Sequence, residues 1–103
     1  MNQEILHRIQ CKSLDVEELI LTNDGQIDLL LRCSMEGLRL EISCRNVSDL
    51  NLSGIHYPMW ISGLEIRDNA ENGWENTARY TLRDYEEDTI FFHCQQLQLI
   101  KLD

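Results

Sequence analysis

The chain reads as an all-β domain, an antiparallel β-sandwich or small barrel of about eight short strands. Three observations predict this. Apolar residues recur with a period of two along most of the chain, most cleanly at Leu38, Leu40, Ile42 and Cys44, and that period lines one face of a pleated strand. Turn signals such as Asp24-Gly25 and Asn72-Gly73 punctuate these runs, because Asn, Asp and Gly tolerate positive φ. No segment carries the pattern of a long amphipathic helix,.

At residues 4 to 11, Ile5, His7, Ile9 and Cys11 alternate as in a strand. Ile5 and Ile9 also fit a helical face, but the strand is favoured. Residues 16 to 22 form the next strand, and Asn23-Asp24-Gly25 turns the chain back into a strand over 27 to 33. The run Leu29-Leu30-Leu31 is apolar on both faces, which predicts a central strand or one covered on both sides. Ser34-Met35-Glu36-Gly37 turns again, and residues 38 to 44 follow with Arg39, Glu41 and Ser43 facing outward, placed for cross-strand ion pairs,.

Residues 45 to 49 read as a bend, and Leu50 with Leu52 as a short strand. The loop over 54 to 60 carries the only proline, Pro58, whose missing N–H makes it a connection or an edge. The stretch from 61 to 94 organises the rest of the chain. Leu64 with Ile66, Tyr80 with Leu82, and Ile90 with Phe92 and Cys94 mark three strands, and Glu86, Glu87 and Asp88 form the tip of a hairpin, so the strands it joins run antiparallel. Gln95 and Gln96 read as a tight polar turn before a last strand through Leu97, Leu99 and Leu102.

With 103 residues, the chain is expected to form a single domain spanning 1–103 with one modest core. No apolar run approaches the roughly 18 residues that cross a bilayer as a helix. The N-terminus lacks the charged start and apolar run of a secretion signal, and a cytoplasmic location is expected. Nine basic residues stand against eighteen acidic ones, for a net charge of -9. Such a balance argues against nucleic acid and against an anionic membrane surface. It serves solubility, and it suits a basic partner steered in by a complementary field. Cys11, Cys33, Cys44 and Cys94 could form two disulfides in a secreted protein, but no secretion signal is seen and three of them continue apolar alternations, so buried free thiols acting as small hydrophobes are expected.

Catalytic signatures are missing. Neighbouring residues on a strand point to opposite faces, so His93 and Cys94 cannot form a dyad. No GxSxG elbow and no phosphate-cradling glycine loop occurs,. No CxxC or HxxxH pair suggests zinc,. The run from Asp68 to Gly73 begins like a calcium loop but fails at Ala70 and Arg79,. Carboxylates clustered at turns suit paired-carboxylate hydrolysis poorly. No cofactor and no metal is expected.

Protein binding is the class left standing. Residues 65 to 88 hold eight acidic and three basic side chains, with Trp74 inside the cluster. An aromatic anchor ringed by polar groups is the usual composition of a binding hot spot. The candidate partner-binding residues are Trp74, Glu71, Glu75, Asp84, Glu86, Glu87 and Asp88, with Tyr57 and Trp60 of the proline loop.

The run NVSDLNLSG followed by ISGLEIRDNAENGWENTARYTLRDYEEDTIFFHC resembles small acidic bacterial proteins of the polymorphic-toxin immunity type. The likeness spans residues 46–94 and rests on Asn46-Val47, Gly63-Leu64-Glu65-Ile66, Gly73-Trp74 and the hairpin from Asp84-Tyr85-Glu86 to Phe92. The resemblance implies a non-enzymatic antitoxin that occludes a basic toxin's catalytic domain, for example a nuclease, in the cytoplasm. It supplies no motif residues for the binding site. The leading expectation is therefore a protein-binding inhibitor, monomeric or a weak homodimer. The alternative is a small ligand- or carbohydrate-binding β domain that stacks sugars on Tyr57 and Trp60.

Overall fold

A computed structural model describes residues 2–53, 58–70 and 78–102. It is all-β apart from one short helix, and its single antiparallel sheet is nearly closed into a barrel, which decides between the two expected architectures. Helix α1 spans Gln3–Ile9, followed by β1 (Leu14–Asn23), β2 (Ile27–Met35), β3 (Leu38–Asn51), β4 (Trp60–Ile61), β5 (Leu64–Asp68), β6 (Tyr80–Asp84) and β7 (Phe91–Leu102). The seven strands stand in the order β4-β1-β2-β3-β7-β6-β5.

This order forces closure. β4 and β5 lie at the two ends of the sheet but are separated in the chain only by Ser62 and Gly63, so the ends must meet. The connection after α1 completes the seam. The Cys11 amide donates to the Leu64 carbonyl at 2.7 Å, and the Leu64 amide to the Lys12 carbonyl at 3.0 Å. Gln10 continues the ladder with its side chain, accepting from the Ile66 amide at 2.8 Å and donating to the Ile66 carbonyl at 2.7 Å. A side-chain amide thus stands in for a strand and covers the β5 edge, an exposed row of donors and acceptors that would otherwise pair with another chain.

Inside, the alternations converge as expected. Leu38, Leu40, Ile42 and Cys44 of β3 are all buried, with Leu29, Leu31 and Cys33 from β2 and Phe92, Cys94, Leu97 and Leu99 from β7. β2 is central, between β1 and β3. Arg32, Arg39 and Glu41 on the outer face make cross-strand pairs, with Arg32 2.8 Å from Glu18 and 2.9 Å from Glu41. The hairpin turn at Gly25 has φ +77°, a conformation glycine adopts without strain.

Three local readings are corrected. Residues 3 to 9 form a helix, not a strand. Asn2 caps it, its side chain accepting from the Ile5 amide at 3.1 Å,. Ile5 and Ile9, one turn apart, both point into the core, while His7 and Cys11 are exposed. The bend at 45 to 49 and the turn at Gln95-Gln96 are also not chain reversals. β3 and β7 run straight through them, paired with each other. Both strands place two consecutive residues outward, Arg45 with Asn46 and Gln95 with Gln96, and the Asn46 side chain donates to Gln95 across the pair at 3.1 Å. Asn46 and Asp49 hold positive φ of 54° and 53°, which Asn and Asp bear better than other residues. The pairing keeps one register from Arg39–Leu102 through Ser48–His93 and shifts only between Ser48 and Asn51. Leu50 accordingly belongs to β3 rather than to a separate short strand, and the described residues hold seven strands.

The three core thiols behave as the small hydrophobes expected. Burial pushes the Cys33 thiol up to about 12. A hydrogen bond with Cys94, then burial, raises Cys44 well above its ordinary value. Only Cys11 is exposed. A thiol reagent at neutral pH is therefore expected to modify one cysteine rapidly in the native protein and all four after denaturation, read by mass spectrometry. Rapid labelling of Cys44 or Cys94 in the native state would contradict this core.

Candidate functional site: the acidic turn at the barrel seam

β6 delivers Asp84 to the seam. Tyr80, Leu82 and Asp84 alternate on its buried face, so the period that lines the core with apolar residues ends on a carboxylate. Asp84 is 0% exposed. Its carboxylate accepts from the amides of Ser62 and Gly63 at 3.1 Å each, from those of Glu86 and Glu87 at 3.1 and 3.2 Å, and from the Thr89 hydroxyl at 2.7 Å. The first two donors form the link between β4 and β5, and the other three belong to the turn after β6. One side chain therefore ties the barrel closure to the hairpin.

Burial alone would push the Asp84 carboxyl up. The hydrogen bonds from Thr89, Glu87, Ser62 and Glu86 outweigh it and hold the group below its ordinary value of 3.8, because they favour the charged form. The backbone adds further ties, from the Tyr85 amide to the Gly63 carbonyl at 3.0 Å and from the Asp88 amide to the Asp84 carbonyl at 3.1 Å. Asp88 completes the turn at φ 54°.

With its backbone held, the turn directs its side chains outward. Tyr85 is 40% exposed, and Glu86, Glu87 and Asp88 are exposed as well. The Tyr85 ring lies over Gly63 so closely that a Cβ there would come within 2.7 Å of it. Only glycine admits this packing without displacing the ring. Partial burial first, then the neighbouring Glu86 carboxylate, raises the Tyr85 phenol.

Several of the sheet's carboxylates are spent on its own arginines. Glu17 lies 3.0 Å from Arg39, Glu65 2.9 Å from Arg83, and Asp68 2.9 Å from Arg79. Exposed pairs of this kind contribute little stability, but they cancel charge locally. No ion pair among the described residues involves Glu86, Glu87 or Asp88.

Of the residues singled out from the sequence, Glu86, Glu87 and Asp88 are brought together on this turn. Asp84 is corrected. It is closed to any partner because its carboxylate is the clasp beneath the turn. Tyr85 is an exposed aromatic that the sequence reading passed over, since it reads equally well as the last residue of a strand. Trp60 lies half-buried on β4, opposite Asp15 of β1. Tyr57, Glu71, Trp74 and Glu75 lie outside the described residues.

Two other polar features lie elsewhere on the barrel. Thr81 lies 2.8 Å from His93 Nδ1, and His93 Nε2 is 4.0 Å from Asp49, in the order of a nucleophile, base and orienting acid. The Thr81 hydroxyl is buried and already accepts from Asn69 at 2.7 Å, so this chain of bonds ties the residue after β5 to β6 and β7. An open groove of about 310 Å³ is lined, among the described residues, by Ser43, Arg45, Gln96, Leu97 and Gln98, none of which offers an aromatic ring on which a sugar could stack.

Fold and site together define a small, nearly closed antiparallel barrel with a clasped acidic turn. No family model, no curated protein and no solved structure matches the chain.

Proposed function

We propose that this domain is a protein-binding inhibitor that neutralises a basic partner through the turn at 85 to 88. The observation that carries the reading is the contrast in pairing. Glu17, Glu18, Glu41, Glu65 and Asp68 of the sheet are matched with arginines, whereas Glu86, Glu87 and Asp88 stand exposed on a backbone clasped by Asp84 and make no ion pair among the described residues. A rigid cluster loses little conformational entropy on binding, and its field accelerates encounter with a cationic surface. Tyr85 beside it supplies an aromatic anchor. The chemistry suits a partner that itself binds phosphates, such as a nuclease, with the three carboxylates taking the place of the phosphate groups. That is the role of an immunity protein toward a toxin's catalytic domain in the cytoplasm, and it requires no catalysis and no cofactor from this chain.

The test uses two baits in parallel, the wild-type chain and E86Q/E87Q/D88N. A basic protein retained by the wild type, released by high salt and lost from the variant supports the reading. With that protein in hand, the association rate at low salt is expected to fall about tenfold or more in the variant, with a shallower salt dependence. Equal retention on both baits places the site elsewhere. Retention of no basic protein by the wild type, in a lysate of cells that make a toxin, argues against the function itself.

A further inference from the structure

The two edges of the sheet are treated differently. Gln10 and the Cys11-Lys12 segment cover β5. On the other side, β4 pairs with β1 only at Leu14 and Asp15, and the Val16 amide makes one further bond, to the Met59 carbonyl at 3.0 Å. Beyond a bulge between Val16 and Glu18, residues 18 to 23 pair, among the described residues, with β2 alone. Pro58, the next residue along, has no amide with which to extend the ladder.

Among the described residues, this segment lacks the usual protection of an edge. Edges are normally blunted by free charges, prolines or short strands. Here Glu17 and Glu18 turn back onto Arg39 and Arg32, at 3.0 and 2.8 Å, leaving Leu19, Ile20, Leu21 and Thr22 uncharged. Ile20 is 42% and Leu21 49% exposed, among the largest exposures of any big apolar side chain described. Ile20 stands on the outer face opposite Leu30, and Leu19 and Leu21 on the inner face opposite Leu31 and Leu29.

We propose that this edge binds a second copy of the chain, β1 against β1, antiparallel about a two-fold axis at Ile20. The segment is self-complementary in that register alone. Ile20 meets Ile20 of the other copy, Leu19 meets Leu21, Glu18 meets Thr22, and Glu17 meets Asn23, so every apolar residue finds an apolar one and no glutamate faces another. Shifting the axis to Leu19 sets Glu18 against Ile20 and Glu17 against Leu21. Shifting it to Leu21 sets Ile20 against Thr22 and Leu19 against Asn23. A parallel arrangement stacks the glutamates. The antiparallel pair extends one sheet across two barrels, satisfying the open backbone groups and burying the exposed Ile20 and Leu21. Each copy carries a net charge of -9, so the two repel. The dimer tightens as salt rises, opposite to the behaviour expected with a basic partner.

The test is sedimentation of the full chain over a concentration series at low and high salt, for wild type, Ile20→Lys, Ile20→Glu and an equimolar mixture of the two variants. The wild type is expected to pass from 12.1 kDa to twice that mass with rising concentration, and more readily at high salt. Each variant alone places like charges on the axis and is expected to weaken association about tenfold or more. The mixture places lysine against glutamate and restores the dimer. Because Ile20 is surface-exposed, both variants should keep the wild-type circular dichroism spectrum. Hydrogen exchange provides a readout that needs no variant, with amides in 17 to 23 gaining protection as concentration rises. A wild type that stays at 12.1 kDa throughout, a dimer that persists in Ile20→Lys, or a mixture that remains monomeric overturns the proposal.

Discussion

Replacing Asp84 with alanine is expected to cost roughly 3–5 kcal/mol of stability, a large part of the about 5–15 kcal/mol that holds a domain of this size together. The reason is the number of donors it satisfies. Removing the carboxylate strands the amides of Ser62, Gly63, Glu86 and Glu87 and the Thr89 hydroxyl, and each buried donor left unpaired carries a desolvation penalty. Asp84→Asn keeps the shape and one acceptor oxygen but turns an NH2 toward amide donors, so an intermediate loss is expected. Urea denaturation of the three proteins measures both effects. A loss below about 1 kcal/mol in Asp84→Ala would mean that the seam closes without the clasp.

The same residue gives the barrel an acid dependence of definite sign. Hydrogen bonding holds the folded-state pKa of Asp84 below its ordinary value of 3.8. Its contribution is therefore fully present above that value and is lost as pH falls through the lower, folded one. Wild type should lose stability over that acid range more steeply than Asp84→Asn, which has no carboxyl to protonate. The difference between the two should shrink as the pH is lowered.

Truncating Ile9 is the second large effect. Ile9 is 0% exposed on the inner face of α1, and Ile9→Ala is expected to cost roughly 2–5 kcal/mol through lost burial and the cavity left behind. His7→Ala should fall within about 0.5 kcal/mol of wild type, because His7 points to solvent,. The pair separates helix from strand. Were residues 4 to 11 a strand, His7 would share the buried face with Ile5 and Ile9 and both substitutions would be costly. Thermal or urea unfolding of the two variants checks this.

That helix shows why the N-terminal segment was hard to read. Ile5 and Ile9 satisfy both a period of two and the four-residue spacing of a helix. A seven-residue element is also too short for a periodicity window to arbitrate. Its decisive signals are the Asn2 cap and the Leu64 and Ile66 backbone that receives residues 10 to 12, and that backbone lies more than fifty residues away in sequence. The misread turns have a related cause. Arg45-Asn46 and Gln95-Gln96 each break the alternation, and a break looks the same whether the chain reverses or only coils. The two breaks are in register across β3 and β7, which no local window contains.

The acidic turn was legible because an exposed charged tip depends only on its flanking strands. Glu86, Glu87 and Asp88 lie outside whichever way the barrel closes. Asp84 was misjudged for the opposite reason. As a residue it matches its acidic neighbours, and it is distinguished from them only by Ser62 and Gly63 arriving from the far end of the sheet.

By itself the sequence determined the β class, the hairpins at 23 to 27 and 84 to 91, the core faces of β2 and β3, the buried thiols and the acidic surplus, because alternation, turn chemistry and charge act over a few residues. Tertiary structure alone decided barrel over sandwich, helix over strand at the N-terminus, the clasp role of Asp84 and the open edge of β1. Each depends on which distant backbone groups meet, and the free energy of burying or pairing a polar group exists only once both partners are in place.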